Sequence, residues 1–223
     1  MIICCILSFI IIFSLFFEIH YRESFDSNDY FIICSKYNKS TDFLDEIPIK
    51  SVVLQKNVDV PNIANEATTY LYYIIHNYDN LPNNMIFIHD ENESWHHEGK
   101  ITEKIYEWIE EYEENGKTYY EVNNRPQIVK NFVNKTHEKF WNDIFQPYFG
   151  DYDKCKKVDG KCCAQFIVSK QNVRKNPKEL YERYYNWLIT NTSGEGNGDE
   201  NDPYSGHETG RYAEYTWNTL FTQ

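Results

Sequence analysis

One stretch of the sequence concentrates side chains that could do chemistry. The segment HDENESWHHE, residues 89–98, holds three of the seven histidines and four acids within ten positions. Imidazoles suit Zn²⁺, whereas carboxylates suit Mn²⁺ or Mg²⁺. The pattern therefore predicts a divalent metal (Mn, Mg or Zn) bound by His89, Asp90 and His96. The alternative is a solvated acidic loop with one hydrogen-bonded histidine beneath it.

Two adjacent cysteines, Cys162 and Cys163, open an apolar run. Neighbours on a strand point to opposite faces, so the two cannot share a partner, and a disulfide between them would be strained. A catalytic thiol would need a nearby histidine or a helix N-terminus. The pattern favours a structural role, with one thiol buried and the other free to pair with Cys155 or Cys34 in an oxidising compartment.

The N-terminal segment MIICCILSFIIIFSLFF, residues 1–17, carries no charge. At about 1.5 Å per residue a helix of this length reaches about 25 Å, the short end of a bilayer span. No small-residue cleavage pattern follows, which favours an uncleaved signal anchor over a cleaved signal peptide or a buried core helix. We therefore expect a single-pass membrane protein whose C-terminal domain is lumenal or extracellular. Four N-x-S/T sequons, at Asn38, Asn92, Asn134 and Asn191, are compatible with a glycoprotein.

The chain after the anchor is predicted to form one domain. A polar linker spans 18–29, and neither a repeat nor a Gly/Ser linker divides residues 30–223. The segment SGEGNGDENDPYSGHETG, 193–210, is acidic and glycine-rich, which is typical of a flexible insertion. The net charge of −12 comes from acids spread along the chain. A phosphate backbone would be repelled, so nucleic acid is excluded as a partner.

Apolar periodicity predicts strands that alternate with helices. The pattern indicates an α/β domain with a layered mixed sheet and flanking helices. One helix is expected to be capped by Asn176, with Pro177 in its first turn. The strands are expected at 30–34, 51–55, 85–89, 117–122 (an edge strand) and in the run from Cys162 to Ser169; the helices at 65–78, 101–112, 140–145, from 177 onward and 211–221.

Three separated blocks resemble one family. They are NIANEATTYLYYIIHNYDNLPNNMIFIH with the following SWHH, then CCAQFIVSKQNVRKNPKELYERYYNWL, then GRYAEYTWNTLF. In this order they are similar to the domain-of-unknown-function family 3431 (DUF3431), from about residue 30 to the C-terminus. The chain departs from that family's pattern at Ala64-Asn65, where Gly-Arg is usual, and at Lys170 and Asn218, which replace Arg and His.

More remotely, the order of elements resembles glycosyltransferases of the GT-A, nucleotide-diphospho-sugar type. The resemblance implies a GT-A-like fold and a nucleotide sugar as donor, with a glycan or glycoprotein as acceptor. Acids in the matched blocks would act as general base or accept sugar hydroxyls, and their alternative role is a helix cap or a surface ion pair. The implied catalytic residues are Glu66, Asp90 and Glu214. The implied substrate-binding residues are Asn62, Tyr70, Trp95, Gln165, Ser169, Arg211 and Trp217.

The sequence thus predicts a membrane-anchored, glycosyltransferase-like protein. Two alternatives stay open on the same scaffold. One is a non-catalytic ectodomain that binds carbohydrate or glycoprotein, and the other is a metal-dependent hydrolase built on the histidine-rich loop. The indole rings of Trp95 and Trp217 could stack on a sugar or a base, although tryptophan is more often part of a core.

Overall fold

The computed structural model of the chain describes residues 27–94, 96–116, 118–122, 135–152, 164–196, 198–199 and 201–223. Its centre is a five-stranded mixed sheet in the order β2-β1-β3-β5-β4. The strands are β1 (Tyr30–Lys36), β2 (Ser51–Gln55), β3 (Asn84–His89), β4 (Tyr119–Glu121) and β5 (Phe166–Ser169). All five coincide with predicted strands, and β4 lies at an edge as expected.

The strand directions define two ends of this sheet. β1 runs parallel to β2 and to β3, while β5 runs antiparallel to both of its neighbours, β3 and β4. Residues that follow β1, β2 and β3 therefore meet at one end, which we call the carboxyl end of the sheet. The start of β3 pairs with the start of β1 and the end of β5 at the opposite, amino end, where Asn84 lies beside Tyr30 and Ser169.

Helices cover both faces of the sheet. Short 3-10 helices at Ser27–Asp29, Asp42–Glu46 and Tyr78–Asn80 connect the regular elements. The α-helices are α1 (Ala67–Asn77), α2 (Ile101–Glu114), α3 (Lys135–Ile144), α4 (Gln146–Phe149), α5 (Lys170–Val173), α6 (Lys178–Asn191), α7 (Gly206–Glu214) and α8 (Trp217–Thr222).

Alternate residues of the central strands point into two separate cores. Phe87 packs in the larger core with α1, α6 and α8, where Tyr70 and Phe166 contact its ring. Ile86 and Ile88 point to the other face and pack under α2, whose buried stripe includes Trp108. All six residues of β3 are buried, as a central strand covered on both faces requires.

Three details of the predicted elements are corrected. Asn176 does not cap α6, because its buried amide donates to the Leu220 carbonyl at 2.6 Å and Pro177 occupies the position before the helix. The last predicted helix is two helices, α7 and α8. The predicted flexible insertion, 193–210, overlaps a helix, because α7 begins at Gly206. Ser205 caps this helix by accepting a hydrogen bond from the Glu208 N–H.

Several predictions lie outside the described residues. These are the anchor at 1–17 and the cysteines Cys155, Cys162 and Cys163. In the part of the chain that the structure describes, none of the helices combines the length and apolarity needed to cross a bilayer. Cys34 is described: its thiol is free and buried in β1, and burial raises its pKa to about 12.

Candidate functional site

A pocket of about 520 Å³ opens at the carboxyl end of the sheet. The chain moves from β1 outward to β2 and then returns to the other side of β1 to form β3. Such a reversal of strand order leaves a crevice beyond the carboxyl ends of the strands, where open α/β sheets bind ligands. The pocket lies in this crevice, because it is lined by the residues that follow β1, β2 and β3.

A buried lysine forms part of the pocket wall after β2. The side chain of Lys56 lines the pocket and is only 6% exposed. Its ammonium donates a hydrogen bond to the backbone carbonyl of Asn65. Burial lowers the pKa of Lys56, while the nearby carboxylates of Glu66 and Asp90 act against that shift. Lys56 therefore places a desolvated cation between two acids.

The backbone that leads into α1 is strained beside this lysine. Ala64 and Asn65 have φ angles of 51° and 49°, a left-handed conformation that residues other than glycine rarely adopt. The strain sets the position of Glu66, which precedes α1 and lines the pocket without making a side-chain cap hydrogen bond. The positive end of the α1 dipole lies at the same place.

Asp90 holds the loop after β1 in place. Its Oδ2 accepts hydrogen bonds from the backbone N–H groups of Tyr37, Asn38 and Lys39, at 2.8, 3.1 and 3.0 Å. Hydrogen bonds to a charged acceptor are stronger than neutral ones. Asp90 thus joins the ends of β1 and β3 and fixes one wall of the pocket.

Three histidines gather where β3 ends. The rings of His89 and His96 lie 5.3 Å apart, centroid to centroid, and both residues are buried and line the pocket. Burial, together with the neighbouring His89 and His97, lowers the pKa of His96 to about 3. Burial also lowers the pKa of His97, whose ring packs against Trp108. His96 and His97 are therefore neutral imidazoles at physiological pH.

Helix α7 supplies the facing wall. His207, Arg211 and Glu214 follow one another at spacings of four and three residues, so they share one face of the helix, and all three line the pocket. Arg211 also pairs with Glu208 at 3.2 Å. The close approach of α7 depends on glycine, because a Cβ at Gly206 would lie 1.7 Å from the carbonyl oxygen of Gly196.

Buried polar atoms without a hydrogen-bond partner lie near the pocket. His89 Nε2 and the Tyr70 hydroxyl are both buried and have no hydrogen-bond partner within the part of the chain that the structure describes. Burial raises the pKa of Tyr70, and the carboxylates of Glu66, Glu214 and Asp90 add to the rise. The Tyr70 ring itself packs in the core against Phe87 and Phe166. Orphaned buried groups are uncommon in native proteins and point to an external partner.

Most of the predicted site residues converge on this one pocket. All three predicted catalytic acids line it, and so do all three predicted metal ligands, one of which, Asp90, is also a predicted catalytic acid. Two residues predicted to bind substrate line it as well. They are Asn62, Glu66, His89, Asp90, His96, Arg211 and Glu214.

The other predicted substrate-binding residues lie elsewhere. Trp217 is buried and stacks on Phe221, so it belongs to the core and not to the pocket surface. Tyr70 lies in the same core. Gln165 is buried just before β5, opposite the end of β3, and neither polar atom of its side chain has a partner among the described residues. Trp95 lies outside the described residues.

Ser169 was placed at the wrong end of the sheet. Because β5 runs antiparallel to β3, its last residue lies at the amino end, opposite the pocket. There the Ser169 hydroxyl caps α5 by accepting a hydrogen bond from the Asn172 N–H at 3.1 Å.

Nine residues that line the pocket were not among the predicted site residues. They are Tyr37, Asn38, Lys39, Lys56, Asn65, Glu91, Gly196, His207 and Tyr215. The sequence does hold a signal for Lys56, since this lysine directly follows the predicted strand 51–55, and ligand-binding residues of α/β sheets lie after strands. His207 lies in the segment 193–210, which the sequence predicts to be a flexible insertion, and no site residue was expected there.

One of the predicted metal ligands already has other hydrogen-bond partners. His89, Asp90 and His96 all lie at the pocket, but Oδ2 of Asp90 already accepts three backbone hydrogen bonds. Within the described ranges no group of three His, Cys, Asp or Glu side chains could hold a metal ion. A metal role for these residues stays a prediction.

Comparison with known proteins assigns the chain to a family. No curated protein and no solved structure matches the chain at a significant level. A family model described as "Protein of unknown function (DUF3431)" matches residues 43–223, a span that includes the pocket residues after β2 and β3 and those on α7. The chain therefore belongs to the DUF3431 family, as its three sequence blocks predicted.

Proposed function

We propose that the chain is a glycosyltransferase-like enzyme that binds a nucleotide sugar in the pocket at the carboxyl end of the sheet and transfers the sugar to a glycan or glycoprotein. The observation that carries the proposal is the convergence of several acids with the buried ammonium of Lys56 and the guanidinium of Arg211 in this crevice. Its volume of about 520 Å³ lies within the usual range for small-molecule sites.

The charges on the walls suit the two parts of such a donor. Lys56, Arg211 and the N-terminus of α1 offer positive charge to a diphosphate. Glu214 and Asn62 present polar side chains that can hydrogen-bond sugar hydroxyls. Asp90 acts mainly as a positioning residue, because it holds the loop after β1.

Glu66 is the best candidate for the general base. It lines the pocket at the start of α1, and its carboxylate does not cap the helix. In the proposed reaction the acceptor hydroxyl gives its proton to Glu66 while its oxygen forms a bond to the anomeric carbon. The bond between that carbon and the phosphate oxygen breaks, and the nucleoside diphosphate leaves with the electron pair. Lys56 and Arg211 stabilise the charge of the leaving group.

Turnover of labelled nucleotide sugars by the full chain tests this function. The chain is incubated with a panel of glycan acceptors, with and without Mn²⁺, because a metal role for His89, Asp90 and His96 stays a prediction. Glu66→Gln should lower kcat about 100-fold or more, the usual contribution of a general base. Glu110→Gln, an exposed acid on α2, is the matched control and should leave kcat unchanged.

The outcomes separate the alternatives. Loss of the sugar without transfer to any acceptor would favour the hydrolase. Turnover that survives Glu66→Gln would contradict the assignment of the base. A glycan that binds without any turnover would favour the binding ectodomain, which has one observation in its support: the ring of Tyr37 is 51% exposed at the pocket and could stack on a sugar.

A further inference from the structure

A second groove, of about 680 Å³, opens at the amino end of the sheet. Three cations line it, Lys170 and Arg174 at the two ends of α5 and Lys175 just beyond. Acidic residues are missing from its lining as far as the structure describes it. The Asp29 carboxylate, which accepts hydrogen bonds from Asn83 and Asn84 of the lining, offsets one of these charges. In a chain with a net charge of −12, the groove still has more cations than acids beside it.

The two lysines of the groove are available to a partner. Arg174 is occupied, because its guanidinium donates to the carbonyls of Tyr78 and Asp79 at 3.0 and 2.7 Å. Within the described ranges, neither Lys170 nor Lys175 forms a salt bridge. An ammonium on a flexible stem can follow an anionic surface without a fixed geometry.

The N-terminal part of the chain arrives at the same end of the molecule. Asn83, which lines the groove, donates a hydrogen bond to the Asp29 carboxylate at 2.7 Å, one residue before β1 begins. The apolar segment 1–17 is separated from the first described residue, Ser27, by nine residues. Nine extended residues span about 30 Å at most, so an anchor at 1–17 would keep this groove close to the bilayer.

We propose that this groove docks on anionic lipid headgroups of the membrane that holds the anchor, through Lys170 and Lys175. Because anionic lipid is concentrated in the cytoplasmic leaflet, this docking places the domain on the cytoplasmic side and replaces the lumenal or extracellular placement expected from the sequence. Positive charge and chain connectivity both place the amino end towards the membrane, so the pocket at the carboxyl end faces away from it. The inference rests on the predicted anchor and is independent of the reaction proposed for the pocket.

Lysine reactivity in vesicles tests this orientation. The full chain is reconstituted into phosphatidylcholine vesicles and into vesicles of equal parts phosphatidylcholine and phosphatidylserine. A membrane-impermeant amine reagent is then applied, and modification of each lysine is followed by mass spectrometry. In the anionic vesicles Lys170 and Lys175 should react several-fold more slowly than in the neutral ones, whereas Lys39, at the pocket, should react at the same rate in both.

Two controls make the result specific. Raising the ionic strength to about 1 M, where the screening length is about 3 Å, should restore the reactivity of Lys170. Lys175→Gln should weaken the protection of Lys170 about fivefold, because one cation near an anionic surface contributes about that factor. The matched variant Lys100→Gln removes an exposed charge beyond β3, just before α2, and should leave Lys170 protected.

Each outcome decides the proposal. Equal rates for Lys170 and Lys175 in both kinds of vesicle would overturn it, and so would protection of Lys39 in their place. If the chain did not insert into neutral vesicles but its Lys170 and Lys175 reacted slowly on anionic ones, the result would support docking through the groove. It would contradict the prediction that residues 1–17 anchor the chain.

Discussion

The two ends of the sheet differ in whether their buried polar side chains have hydrogen-bond partners. At the amino end Asn84 is fully engaged: its amide donates to the Asp29 carboxylate at 2.9 Å and its oxygen accepts from the Tyr112 hydroxyl at 2.8 Å. At the carboxyl end, His89 Nε2 lies at the pocket and has no hydrogen-bond partner among the described residues. Asn84 is therefore satisfied within the fold, whereas His89 keeps a buried polar atom that a ligand in the pocket could complete.

The largest effect on stability is expected at Asp90. Asp90→Ala removes the acceptor of three backbone N–H groups and leaves them in a partly buried loop. The free energy of unfolding should fall by about 4 kcal/mol, since each hydrogen bond to a charged group contributes about 1.5–3 kcal/mol and the three are not additive. Guanidinium denaturation of the variant measures this loss.

The neighbouring acid provides the control for Asp90. Among the described residues Glu91 pairs with exposed Lys39 alone, at 3.8 Å, and Glu91→Ala should cost less than about 1 kcal/mol. A similar loss in both variants would mean that Asp90 does not hold the loop, and Asp90 would then be available for the catalytic role predicted from the sequence.

The second largest effect on stability is expected where α7 packs closely against the backbone at Gly196. Gly206→Ala would place a Cβ 1.7 Å from the backbone oxygen of Gly196, and the unfolding free energy should fall by about 3 kcal/mol because the backbone must move. In Gly210→Ala the new Cβ would meet the Asn65 side chain at 2.5 Å. That side chain can rotate, so the cost should be about 1 kcal/mol. Thermal melting of both variants compares their losses of stability. An unchanged stability of Gly206→Ala would mean that the segment at Gly196 is flexible, as the sequence predicted.

The sequence predicted the scaffold better than the site. The strands were found because apolar runs such as MIFIH are long, continuous and bounded by turn residues. Which end of a strand a residue occupies also depends on strand direction, and direction is set by pairing between distant segments. Ser169 was misplaced for that reason: nothing local in FIVS shows that β5 runs antiparallel to β3. Lys56 was missed because burial of a lysine beside two acids is a property of the assembled pocket.

Acid should weaken the carboxyl end of the sheet. The pKa of His96 is about 3 in the folded chain and about 6.5 in the unfolded one. Below pH 6.5 the unfolded state therefore binds a proton that the folded state does not, and stability falls as the pH falls towards 3. By pH 5 the loss from His96 should reach about 2 kcal/mol.

Denaturation at pH 7 and at pH 5 measures this acid effect. His96→Asn should reduce the difference between the two curves, and His76→Asn, which changes an exposed histidine on α1, should not. A full-sized difference in His96→Asn would show that the acid sensitivity comes from elsewhere in the chain.

The smallest effect is expected where the backbone is strained. Ala64 is buried with φ at 51°, at a position where the DUF3431 pattern usually has glycine. Ala64→Gly relieves about 1–2 kcal/mol of left-handed strain. It also loses a buried methyl group, at about 0.8 kcal/mol, and gives the unfolded chain more freedom. These changes nearly cancel, so the unfolding free energy should change by less than about 0.5 kcal/mol.

Ala213→Gly makes the same substitution at a buried position of α7, where helix propensity and burial both favour alanine, and should cost about 1–2 kcal/mol. If urea denaturation showed the same loss for both variants, the left-handed backbone would carry no strain, and the position of Glu66 would need another cause.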